Sequence, residues 1–160
     1  MRTNRIIFFA SCLALSVLYA FPANGQSVAR LLQDATLRFQ EGKTAEARSL
    51  YEAVVAKDSS CYEALAWLGN YYYLKGKEEL TDLDRSYKEL REPTRMQSAR
   101  HQEALKAVYL NWYAKAETCL LKALDVRKNE HLQQLADEIE RYKLRIGLIT
   151  PTVKKTKGEK

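Results

Sequence analysis

Gly42 and Gly76 each close an apolar stretch and stand 34 residues apart, and Asn111 follows 35 residues later. Seven residues before each lies a small residue, Ala35, Gly69 and Ala104. Five residues after lie Ala47, Thr81 and Ala116. No other feature constrains the fold as much as this period. One helix–turn–helix pair of that length cannot bury its own apolar stripe, so copies must stack. The spacing predicts an all-α solenoid of about three helix–turn–helix repeats with a C-terminal capping helix, and a binding scaffold rather than a catalyst.

The apolar pattern places the helices. In the first unit, residues 28–61, Leu31, Leu32, Ala35 and Phe39 keep helical spacing up to Gly42. Thr44 then opens a helix whose inward stripe is Ala47, Leu50, Tyr51, Val54 and Val55. In the second unit, residues 62–96, a first helix carries Leu65, Trp67, Leu68, Gly69, Tyr72 and Tyr73 up to a turn at Gly76. A second helix follows with Leu80, Leu83, Tyr87 and Leu90, and Pro93 ends it. The third unit, residues 97–130, reads as Ala104, Leu105, Val108 and Tyr109, a turn at Asn111, then Ala116, Leu120, Ala123 and Leu124. Leu132, Leu135, Ile139, Tyr142 and Ile146 make a last amphipathic helix, the expected cap over the end of the stack, closed by Gly147 and Pro151.

The chain divides into three segments. Residues 1–25 carry Arg2 and Arg5, an apolar run over residues 6–21, Pro22 and the small-residue stretch Ala23, Asn24, Gly25. This is the charge, apolar and small-residue order of a secretory signal, and the run is shorter than the roughly 20 residues a spanning helix needs. An uncleaved anchor is the alternative. Cys12 does not suit lipidation, because Phe9 sits three before it and the preceding apolar stretch is too short. Residues 26–149 form the helical-repeat domain, and 150–160 a short Lys-rich tail expected to be solvated. The expected location is outside the cytoplasm, periplasmic or extracellular.

The formal net charge of +6 lies mostly outside the domain. Removing Arg2, Arg5 and the tail charges leaves 20 Lys and Arg against 19 Asp and Glu. A near-neutral body has no electrostatic footprint for nucleic acid. Membrane contact is expected only through an uncleaved signal or the tail. Cys61 and Cys119 either pair in an oxidising compartment or stay as buried thiols, and spacing does not choose between them.

Three stretches resemble the tetratricopeptide repeat family: YEALAWLGNYYYLKG over 62–76, GKTAEARSLY over 42–51 and AKAETCLLKAL over 114–124. Pro93 stands where that family often closes a repeat, and the resemblance covers roughly residues 28–130. Thr81 and Arg85 depart from it, standing where the family prefers Ala and an aromatic, and Asn111 replaces a turn glycine. The resemblance implies a superhelix with a concave groove lined by the first helix of each pair. Carried over, it puts Leu32, Thr36, Phe39 and Gln40 in the groove from the first unit. The second unit gives Glu63, Ala66, Asn70, Tyr73 and Leu74, and the third Ser98, His101, Leu105, Val108 and Tyr109.

Such a groove suits an extended peptide or a partner helix, with Phe39, Tyr73 and Tyr109 as anchors and Asn70 adding specificity. Periodicity alone leaves each aromatic equally compatible with the core. Consecutive helical residues point about 100° apart, so at least one of Tyr71, Tyr72 and Tyr73 should be partly exposed. On this reading Tyr73→Asp abolishes partner binding and spares helicity. The family's carboxylate clamp is not expected, since Leu32, Thr36, Trp67, Ser98 and Gln102 bring no cation to it.

Catalysis is not expected either. The only histidines, His101 and His131, stand 30 residues apart, and no metal, phosphate-loop or nucleophile motif appears. No cofactor is called for. The expected role is a non-catalytic scaffold for a protein or peptide partner in the envelope or outside the cell. The alternatives are a self-assembling structural subunit stacked end to end, or a tethered adaptor if the signal stays.

Overall fold

A computed structural model describes residues 27–149. The expected signal segment and tail, residues 1–25 and 150–160, lie outside them. Six α-helices follow in order: α1 Val28–Gln40, α2 Thr44–Lys57, α3 Tyr62–Lys88, α4 Arg95–Val108, α5 Ala114–Val126 and α6 Glu130–Arg145. A π-helical turn, Tyr109–Tyr113, joins α4 to α5 without a break. The all-α helical stack is as expected.

The first hairpin matches its sequence signals. The Ser27 hydroxyl caps α1 by accepting the Arg30 amide at 3.2 Å. Gly42, at φ +75°, reverses the chain after it, a left-handed conformation that favours glycine. The Lys43 amide reaches back to the Arg38 carbonyl at 2.9 Å and closes the helix end. Leu31 and Ala35 of α1 then pack on Ala47, Tyr51 and Val54 of α2, all buried.

The next two expected turns are absent. The chain does not turn at Gly76; α3 runs on to Lys88. Asn111 sits inside the π turn of a helical rod that extends from Arg95 to Val126. Both departures have one cause. The rod lies antiparallel to α3 along its whole length: Gly69 meets Leu120, Gly76 meets Tyr113, Glu79 meets Trp112, and Tyr87 meets His101 and Ser98. Gly76 is a packing glycine. A Cβ there would stand 2.9 Å from Tyr113 Cε1, too close for any side chain to fit unmoved. The π turn adds the one residue that turns Tyr113 onto this spot while α4 keeps its own contact with α3.

The second hairpin therefore has long arms, and its inner half is α3 up to Gly76 against α5. The helix of Leu80, Leu83 and Tyr87 is the outer half of α3, and α4 is the helix that returns along it. This explains Thr81 and Arg85. They do not pack where a repeat's second helix would; Ala116, Leu120 and Ala123 of α5 do, all fully buried. The Asn129 side chain then caps α6 through the Leu132 amide at 3.0 Å. Its buried stripe of Leu132, Leu135, Ala136, Ile139 and Tyr142 covers α5, and the Tyr142 hydroxyl donates to the Leu105 carbonyl at 2.7 Å. Gly147 ends the helix at φ +70°. Leu65, Leu120, Ile139, Val54 and Val108 are the largest fully buried side chains and mark one continuous core.

Candidate functional site

The packing order zigzags, with α1 on α2, α2 on α3, α3 on α5 and α5 on α6. Among the alternate members, α3 also touches α1, through Phe39 and Trp67, and α6, through Asn70 with His131 and Tyr73 with Glu138, so the three line one side of the stack with α3 in the middle. On α3 two stripes divide the work. Leu65, Leu68, Gly69, Tyr72 and Gly76 are buried towards α5. Trp67, Asn70, Tyr71 and Leu74, spaced i, i+3, i+4 and i+7, fall together on the other side.

Aromatic rings link the face from α1 to α3. Phe39, 48% exposed, stands edge-on to Trp67 with ring centres 5.5 Å apart at 81°. Trp67 lies between Tyr51 at 4.4 Å and Tyr71 at 5.3 Å, nearly parallel to the latter at 8°. Leu74 extends the row at 61% exposure. The row meets α6 at a polar pair, Asn70 Oδ1 with His131 Nε2 at 3.1 Å, while the Asn70 amide donates to the Ala66 carbonyl. The result is an apolar strip with an amide and an imidazole at one border. Arg38, Glu41, Lys43 and Glu46 form an ion-pair cluster at the α1 border.

Most of the first two units' expected groove residues are on or beside this face. Leu32 and Ala66 are half-buried against the core. Thr36 is exposed, its hydroxyl 3.2 Å from that of Tyr51. Gln40 and Glu63 are exposed, and Phe39, Asn70 and Leu74 are as described.

Tyr73 is not an exposed anchor. It is 5% exposed, packed against Tyr113 at 5.8 Å, and its hydroxyl donates to Glu138 of α6. Burial, reinforced by that carboxylate, holds its phenol well above the ordinary range. Tyr72 is buried too, so Tyr71 is the partly exposed member of the three tyrosines.

The third unit's residues do not join the row, because α4 belongs to the long arm. Leu105 and Val108 are core. Ser98 bonds the Tyr87 hydroxyl at 2.9 Å, and His101 stacks on the Tyr87 ring at 4.0 Å with Asp84 3.5 Å away. Tyr109 donates to Glu117, which also takes Lys143 at 2.8 Å.

The third wall is α6 instead. Sequence reasoning missed its His131, and it left Trp67 and Tyr71 out of the groove. A signal for α6 existed: Leu132 and Ala136 repeat the Leu31, Ala35 and Leu65, Gly69 spacing of the first helices.

Among the described residues no cluster of His, Cys, Asp and Glu could hold a metal ion. Both Cys61 and Cys119 are free thiols, and burial pushes the Cys119 thiol up. The chemistry this face offers is contact: ring edges, an aliphatic side chain and a few hydrogen-bonding groups.

No protein-family model matches the chain, and no curated protein matches it. A solved structure does. The chain is similar to a crystal structure, at 2.19 Å, of a candidate protein binding protein from Bacteroides ovatus ATCC 8483, with 29% identity and a TM-score of 0.73. The match covers 77% of this chain and 60% of that one. It supports the fold of a helical repeat protein.

Proposed function

We propose that the protein is an exported, non-catalytic scaffold that docks a peptide or partner helix on the α1–α3–α6 face. The observation that carries this reading is the row Phe39, Trp67, Tyr71 and Leu74. Two of its members stay about half exposed or more, although a hydrophobic core lies directly beneath. A preformed apolar strip bordered by an amide and an imidazole fits an amphipathic segment, whose apolar residues take the strip while its polar groups meet Asn70 and His131. The description of the Bacteroides ovatus structure as a candidate protein binding protein supports the same reading, as does the resemblance to tetratricopeptide repeats, with the second repeat split by the long arm.

Affinity capture from the native envelope extract with the parent chain and with Phe39→Ser/Leu74→Ser tests it. A protein held by the parent and lost by the double variant supports the face; equal capture by both overturns it. End-to-end self-assembly has its own observation, since Leu37 at one open end and Leu121 at the other are each about half exposed. Sedimentation velocity at rising concentration separates the two, because only self-assembly increases the mass without a partner.

A further inference from the structure

The long arm has no part in the α1–α3–α6 face, and its tip has a composition of its own. Past Gly76, α3 continues for about 18 Å to Lys88 at 1.5 Å per residue. The chain turns through residues 89–94, and Thr94 and Gln97 restart it as α4 with a reciprocal capping box. Every residue from 88 to 97 is exposed. Within that run Leu90 is 37% and Met96 64% exposed.

Charge concentrates at the same place. Residues 85–100 hold five Lys and Arg against two Glu, a net +3, whereas the whole domain over 27–149 is about +1. Across the rest of the domain at least six of fifteen Lys and Arg are ion-paired, namely Arg38, Lys43, Arg48, Lys75, Lys143 and Arg145, and Lys77, Lys115 and Arg127 lie over tyrosine rings. At the tip only Arg85 is ion-paired, with Asp82. Lys88, Arg91, Arg95 and Arg100 have no carboxylate partner among the described residues.

We infer that this tip is a docking surface for an anionic lipid leaflet. Leu90 and Met96 enter the headgroup region, and the unpaired cations around them meet lipid phosphates. A leaflet fits better than an acidic polypeptide because the tip is the convex end of a helical hairpin. A convex end matches a plane, whereas peptide recognition calls for a groove or an open edge. Both helices of the arm are held at the base by Trp112 with Glu79 and by the Asp84, His101 and Arg145 cluster, so the tip is presented on a braced support.

Vesicle flotation of the full chain tests this, comparing pure phosphatidylcholine with phosphatidylcholine containing phosphatidylglycerol. The variants are Arg91→Glu/Arg95→Glu and Leu90→Ser/Met96→Ser, with Lys154→Gln/Lys155→Gln/Lys157→Gln as a control for the tail. All substituted tip residues are exposed, and circular dichroism checks that the helices persist. The parent should prefer the anionic vesicles, less so as salt rises. The charge reversal should weaken that binding by about tenfold or more, the apolar pair by less, and the tail variant little. Three results would overturn the assignment: no preference for anionic vesicles, a preference that both tip variants retain, or tip-dependent binding to poly-glutamate without vesicle binding.

Discussion

The ring of Tyr113 occupies the space in which residue 76 would otherwise carry a side chain. With Gly76 there, α3 and the α4–α5 rod approach closely enough to bury Tyr113 to 4% exposure. α3 runs through that contact as one helix of 27 residues where a repeat would have turned.

Gly76→Ala should therefore destabilise the fold by about 1–3 kcal/mol through overpacking, less up to ~1 kcal/mol regained from helix propensity. Urea denaturation of Gly76→Ala, Tyr113→Ala and the double variant would show it. The cost of Gly76→Ala should shrink when the ring is gone, because the two residues share one volume. A turn glycine would give an unchanged cost.

Tyr73→Asp should lose cooperative folding rather than partner binding alone. It deletes a buried ring and leaves a carboxylate beside Glu138, a loss of about 3–5 kcal/mol for the ring by itself. Tyr73→Phe, which gives up the hydroxyl bond but keeps the ring, should cost about 1 kcal/mol. Thermal melts of both variants check this, and a fully folded Tyr73→Asp would refute the buried placement.

Stability should fall at alkaline pH. Burial pushes the Tyr142 phenol up to about 12 from an ordinary 10.0, and the phenols of Tyr72, Tyr73 and Tyr113 rise as well, again mainly through burial. Above pH 10 the unfolded chain gives up phenolic protons that the folded chain keeps, so unfolding is favoured as pH rises. The contribution is fully present below pH 10 and lost from there upward, through about pH 12 for Tyr142. Tyrosinate absorbance recorded beside helicity should show these rings ionising together with unfolding. Independent, earlier ionisation would contradict their burial.

Helix type and the first hairpin were legible because Leu31, Ala35, Gly42 and Tyr51 act locally. The register of the later helices was not. Ala35, Gly69 and Ala136 are the small contact residues of α1, α3 and α6, separated by 34 and then 67 residues. The long arm thus adds close to one more period, so Ala104, Asn111 and Ala116 fell in phase with a repeat that is not there. Spacing cannot distinguish an extra unit from an insertion of equal length. The mismatched Thr81 and Arg85 were the visible trace of the difference. The site followed the same logic: residues of α1 and α3 were found from their own stripes, whereas His131 depended on knowing which helix comes third.

Photo-crosslinking in the native host tests the proposed face most directly. A photoreactive benzophenone amino acid is placed at Leu74, with a second variant carrying it at Leu121, another exposed leucine, on α5 away from the face. A discrete protein adduct is expected from position 74, missing from position 121 and lost on adding Phe39→Ser. No adduct at 74, or the same adduct from both positions, would contradict it.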